Sequence, residues 1–189
     1  MTYQEVLLQA REAMAKCKAC PVCNGKACGN NIPGPGSKGI GDTAMRNYSK
    51  WLDIRVNMDT ISDVTAPDAS LEIFGKKFRF PFFAGPVGAV VAHYGDKHND
   101  KSYNNVLVKA CAEGGIAAFT GDGLDGTVMK VACDAIAASG GVGVPTVKPW
   151  NMETIEEKMA IAKASGCFAI AMDIDAAGLP FLKGMNPPA

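Results

Sequence analysis

An α/β fold of consecutive parallel strands is what this sequence predicts, and three features predict it. Short, unbroken apolar runs begin near Phe82, Ile116, Val142 and Phe168, reading FFAG, IAAF, VGVPTV and FAIAM. Helical patterns separate them, and glycines at Gly114–Gly115, Gly140–Gly141 and Gly166 stop those helices. Strand, helix, strand in this rhythm is the signature of βαβ units. Strands of a parallel sheet are covered on both faces, which explains continuous apolar runs in place of alternation.

Taken in order, residues 1 to 42 form a first region, an amphipathic helix over Met1–Met14 followed by a Cys- and Gly-rich segment. Asn30–Gly41 reads NNIPGPGSKGIG, and Pro and Gly at that density hold neither a helix nor a central strand. Residues 43 to 189 form the second region. It opens with a helix for which Asp42 is the N-cap and Ala44, Met45, Tyr48, Trp51 and Leu52 the apolar stripe. Ser70–Phe80 reads as a hairpin turning at Gly75 and Lys76. The helix before the fourth run is the clearest one. Asn151 caps it, Glu153, Glu156 and Glu157 suit its positive end, and Met152, Ile155, Met159 and Ala162 line one face. Lys163 suits the opposite end and Gly166 stops the helix. Four strands with three intervening helices describe either half of a (β/α)8 barrel, which takes about 250 residues when closed, or a small open α/β sheet.

Composition excludes several classes. The 189 residues carry a formal net charge of +0 and are 48% hydrophobic, enough for one sizeable core. No basic cluster suggests nucleic-acid binding, and no apolar run is long enough to span a bilayer. Gln4, Glu5, Arg11 and Glu12 interrupt the first helix, so it is not a signal peptide. Seven cysteines without an export signal fit a reducing, cytoplasmic setting. Cys111, Cys133 and Cys167 sit in apolar stretches and read as small buried hydrophobes.

Ligands of parallel α/β folds bind at the C-terminal strand ends. Those ends are Gly85-Pro86-Val87-Gly88-Ala89, Thr120-Gly121-Asp122-Gly123, Pro145-Thr146-Val147-Lys148-Pro149-Trp150 and Asp173-Ile174-Asp175. A polar strand end alone reflects contact with water. Four successive ends, one rich in small residues and three carrying Thr, Asp or Lys, point to a ligand site. His93 and His98, the two histidines, follow the first strand on a polar loop and read as surface residues.

FPFFAGPVGAVVAH, preceded by a hairpin with an FGKKF turn, resembles the first barrel strand of the FMN-dependent α-hydroxy-acid dehydrogenases and oxidases. The resemblance spans about Trp51 to Phe181 and implies the first four βα units of a TIM barrel. In that family the flavin ring lies against the backbone after this strand's Pro, which assigns Pro86, Val87, Gly88 and Ala89 to the cofactor. The family's next Ala-His pair matches Ala92-His93 across a one-residue deletion. Thr120 matches the hydroxyl that ends the family's second strand. Thr146 and Lys148 stand where the third strand carries an amide and a Tyr. Asp173 replaces the Thr of the fourth strand, and Asp175 keeps its Asp. The substrate-contacting N-terminal Tyr has no clear match, and Gly178–Phe181 stands in place of the carboxylate-binding Arg. The resemblance places the catalytic His, its partner Arg and the phosphate loops in later strands, so the chain by itself is expected to be inactive as an N-terminal portion. For Lys148 two readings stand: a cation near N1 and C2=O of the flavin, or a solvated lysine beside a Pro-Trp turn.

Cys17-x2-Cys20-x2-Cys23-x4-Cys28 is a separate signal. Four thiolates at this spacing, with Pro21, Gly25 and Gly29 for the turns, suit one zinc ion or one iron–sulfur cluster. Reduced surface thiols or a redox pair are the alternative. The resemblance implies an FMN oxidoreductase acting on a small 2-hydroxy acid, a homo-oligomer when full length. The alternatives are a metal- or partner-binding module on a half-barrel scaffold, a type 2 isopentenyl-diphosphate isomerase, or a truncated gene product.

Overall fold

The structure, a computed structural model, describes residues 1–14, 17–28 and 42–174. It comprises two compact units, Met1–Pro67 with Val91–Lys97, and Asp68–Val90 with His98–Ala189.

In the first unit, α1 spans Tyr3–Ala13. Thr2 starts it by accepting the Glu5 N–H while the Glu5 carboxylate accepts the Thr2 N–H, so two otherwise orphaned donors are satisfied reciprocally. Two bonds tie α1 to the cysteine segment. The Tyr3 hydroxyl donates to the Pro21 carbonyl at 3.2 Å and Arg11 Nε to the Lys18 carbonyl at 3.2 Å. Helix α2 spans Thr43–Trp51. Asp42 precedes it as expected, but its side chain makes no capping bond. Of the expected apolar stripe only Ala44 is buried, and Met45, Tyr48, Trp51 and Leu52 stay exposed. The Asn30–Gly41 loop lies outside the described residues.

The second unit opens with a hairpin of β1, Leu71–Ile73, and β2, Lys76–Phe78. Lys76 belongs to the strand, so the turn is Phe74–Gly75. Both turn residues take the left-handed backbone, with φ of 50° and 73°, the geometry that matches the strand twist in two-residue hairpins. The four apolar runs then lie side by side, parallel and in chain order. Ala84 bridges Ala118, Phe119 bridges Val144, and β3, Thr146–Val147, pairs with β4, Ala171–Met172, in the register Thr146 to Ala171. The Phe119 N–H donates to Ala84 at 2.8 Å, the Thr120 N–H to Val144 at 3.0 Å and the Asp173 N–H to Val147 at 2.8 Å. The arrangement is mixed α/β with few and short strands, and the described residues form no closed barrel.

Helices separate the runs as expected: α4 is Asp100–Gly114, α5 Thr127–Ala138 and α6 Met152–Ala164. Asn99 and Asn151 cap α4 and α6 by accepting the Ser102 and Thr154 N–H groups. Gly115 closes α4 at a φ of 78°, a backbone where a side chain would be strained. One further helix, α3, spans Val90–Tyr94 and places His93 on a helix where a loop was expected.

Side-chain alternation separates two faces of the parallel runs. Ala84, Ala118 and Val147 face the helices. Ala118 packs with Val108, Cys111, Ala135 and Ile136, and Val147 with Met129, Cys133 and Ala162. Phe119, Val144, Thr146 and Ala171 therefore line the opposite face, where the Phe119 and Phe83 rings meet edge to face at 6.3 Å.

Candidate functional site

The first run leaves the sheet at Gly85 and Pro86, both exposed, and continues through half-buried Val87 and Gly88 to exposed Ala89. Ala89 holds a φ of 52°, unusual for a residue with a Cβ. This loop lies directly on the second strand end. A Cβ on Gly121 would land on the Val87 carbonyl oxygen, and one on Gly88 would come within 3.2 Å of the Asp122 carbonyl. Glycine at both positions is what lets the two backbones touch. Asn104 of α4, fully buried, holds Gly121 by accepting its N–H at 3.2 Å.

Thr146, Lys148 and Asp173 come together. Thr146 and Lys148 alternate along the third strand on the face turned away from the helices, and Asp173 follows Ala171 on the same face of the fourth. Lys148 Nζ lies 2.9 Å from Asp173 Oδ2, with both side chains largely buried. Beneath them the Thr146 hydroxyl is buried without a hydrogen-bond partner among the described residues. Burying an unmade hydroxyl costs about 1–3 kcal/mol, and folded proteins leave few such groups unpaired. Thr120 is equally buried and unpartnered, but it shares the face of Ala118 and points toward the helices, apart from the other three. Asp175 lies outside the described residues.

Beneath this rim the structure reveals a residue without an expected role. The Asp122 carboxylate is wholly buried and accepts four bonds: from Lys158 Nζ at 2.7 Å, the Gly123 N–H at 2.9 Å, the Lys148 N–H at 3.0 Å and the Trp150 indole at 2.7 Å. Lys158 also lies 5.6 Å from the Trp150 ring centre. The sequence held a signal for it. Lys158 falls on the Ile155–Met159–Ala162 stripe of α6, and a lysine on a core-facing stripe needs a buried anion. Within that stripe Lys158 and Ala162 are buried, whereas Met159 and Met152 stay exposed.

The cysteine segment belongs to the first unit. None of the seven cysteines forms a disulfide with another described residue. The Ala19 N–H points at Cys17 Sγ, 3.4 Å away, and burial together with the neighbouring Cys17, Cys28 and Cys20 pushes the Cys23 thiol up. Among the described residues no three Cys, His, Asp or Glu side chains are gathered closely enough to hold a metal ion, so the expected coordination sphere is not assembled. Cys111 and Cys133 are buried as expected, and burial pushes the Cys133 thiol up to about 11. Cys167 is half-buried. His98 stands near Ser102, 3.4 Å from its hydroxyl.

Parallel βα units with a polar cluster at their C-terminal ends define a cofactor- or substrate-binding α/β protein. The model of the FMN-dependent dehydrogenase family matches residues 35–181. The chain therefore belongs to the FMN-dependent dehydrogenase family, whose members use FMN and share a TIM-barrel architecture. No curated protein gives a significant match. Among the described residues no helix is long and apolar enough to cross a membrane.

Proposed function

We propose that the chain contributes the flavin-ring side of an FMN-dependent oxidoreductase that converts a small 2-hydroxy acid to the 2-oxo acid. The observation that carries this reading is the Thr146–Lys148–Asp173 cluster, an unmade hydroxyl beside an ion pair on one face of adjacent parallel strand ends. Pro86, Val87, Gly88 and Ala89 fit one face of a flat ring, because that backbone bears only small side chains and is partly open. Thr146 offers a donor to a ring carbonyl or nitrogen. Lys148 offers a positive charge where negative charge gathers on reduction. Bound FMN supplies the hydride acceptor, and the hydroxyl proton goes to a base. Thr120 remains a cofactor candidate only through backbone placement, since its side chain faces the helices.

The test is to titrate the chain with FMN and follow the flavin's visible spectrum and fluorescence. A perturbed spectrum that Lys148→Met restores toward that of free flavin supports the reading. A spectrum unchanged at saturating protein defeats it.

For the cysteine segment we infer a thiophilic cation site, zinc or iron–sulfur, formed by Cys17, Cys20, Cys23 and Cys28. The favouring observation is the Ala19 N–H aimed at Cys17 Sγ, the bond that stabilises a thiolate bound to metal. Binding requires the four sulfurs to come within one coordination sphere. Elemental analysis of anaerobically purified protein is expected to find one zinc, or iron with sulfide, per chain. Four freely titratable thiols and no metal would refute the site.

A further inference from the structure

The Asp122 carboxylate sits too deep to touch a ligand, yet it holds both ends of the rim. Lys148 is fixed twice, its amide by Asp122 Oδ2 at 3.0 Å and its ammonium by Asp173 Oδ2 at 2.9 Å. Trp150, two residues on, is fixed by the same Oδ2 at 2.7 Å. Lys158 neutralises the carboxylate from α6, so second strand, third strand and α6 are locked at one point. We propose that Asp122 is a positioning residue. By anchoring the Lys148 amide and the Trp150 indole, it sets the Lys148 ammonium where an anionic ring on this face meets it. The proposal rests on the flavin reading of that face.

Charge and position make opposite predictions for Asp122→Asn. Removing a buried negative charge leaves the region more positive and, by electrostatics alone, strengthens binding of an anion. Losing the anchor lets Lys148 drift, and a displacement of about 1 Å can cost a large factor in a preorganised site. The probe is lumiflavin, the bare ring, which needs no phosphate site. Equilibrium dialysis of the full chain under argon compares its oxidised, neutral form with its dithionite-reduced form, anionic above neutral pH. The ratio of the two affinities is the readout, because a general loosening of structure weakens both forms alike and leaves the ratio unmoved.

The wild-type chain is expected to hold the reduced ring about tenfold more tightly than the oxidised one. Lys148→Met is expected to abolish that preference, and Asp122→Asn to reduce it to about twofold. Trp150→Phe keeps the Asp122–Lys158 pair and covers the case in which Asp122→Asn does not fold, and it is expected to lower the ratio at least twofold. A ratio unchanged or raised in the folded Asp122 variant, or unchanged in Trp150→Phe, overturns the positioning role while leaving the flavin reading intact. A wild-type chain that binds neither form overturns the flavin reading, and this proposal with it.

Discussion

Asp122 shows how one side chain organises a rim. A buried carboxylate is tolerable only when its acceptor capacity is filled and its charge is met, and here four donors including Lys158 do both. Removing one partner leaves the other charged and buried, which typically costs 3–5 kcal/mol. Lys158→Met is therefore expected to lose roughly 3–5 kcal/mol in a denaturant titration, with the slope of the transition unchanged. A loss under about 1 kcal/mol would show that water reaches Asp122. Thr146 stands at the opposite limit, a buried hydroxyl whose partner is expected to come from a ligand.

At the scale of elements, the helices are defined largely by their ends. Asn151 accepts the Thr154 N–H at 2.9 Å, and Glu153 follows in the first turn. Asn151→Ala is expected to cost about 1 kcal/mol of stability, read as a lowered melting temperature. The effect should reach the site, because α6 carries Lys158 to Asp122. The strands behave differently. β3 and β4 are two residues long, and their neighbours are isolated bridges. Such short ladders owe their order to the helix layer, where Val147 packs against Met129, Cys133 and Ala162.

On the scale of the whole molecule, four parallel runs lie side by side in a chain whose family builds a TIM barrel, which takes eight strands. The 189 residues hold two histidines, His93 on α3 and His98 beside Ser102, and neither belongs to a described strand. A positioned general base contributes a factor of about 10² to 10⁴. We therefore expect the chain mixed with FMN and lactate or glycolate under argon to bleach the flavin slowly at best. Bleaching within seconds would place a base among these residues and require a new assignment.

Sequence alone determined the order and direction of the four parallel runs. Apolar runs, stop glycines and Asn151 are local signals, and right-handed βα connections leave little choice for consecutive parallel strands. The strand ends were legible as a rim for the same reason, down to Lys148 and Asp173. Tertiary structure decided which side chains share a face. Thr120 and Thr146 look alike in sequence, yet the register between Phe119 and Val144 sends one toward the helices and the other to the rim. It also decided the three distant partners of Asp122, which lie 26, 28 and 36 residues away. Periodicity says which positions are buried, whereas the pairing of buried charges depends on how the helix layer packs over the sheet, and that is fixed only when the chain is folded.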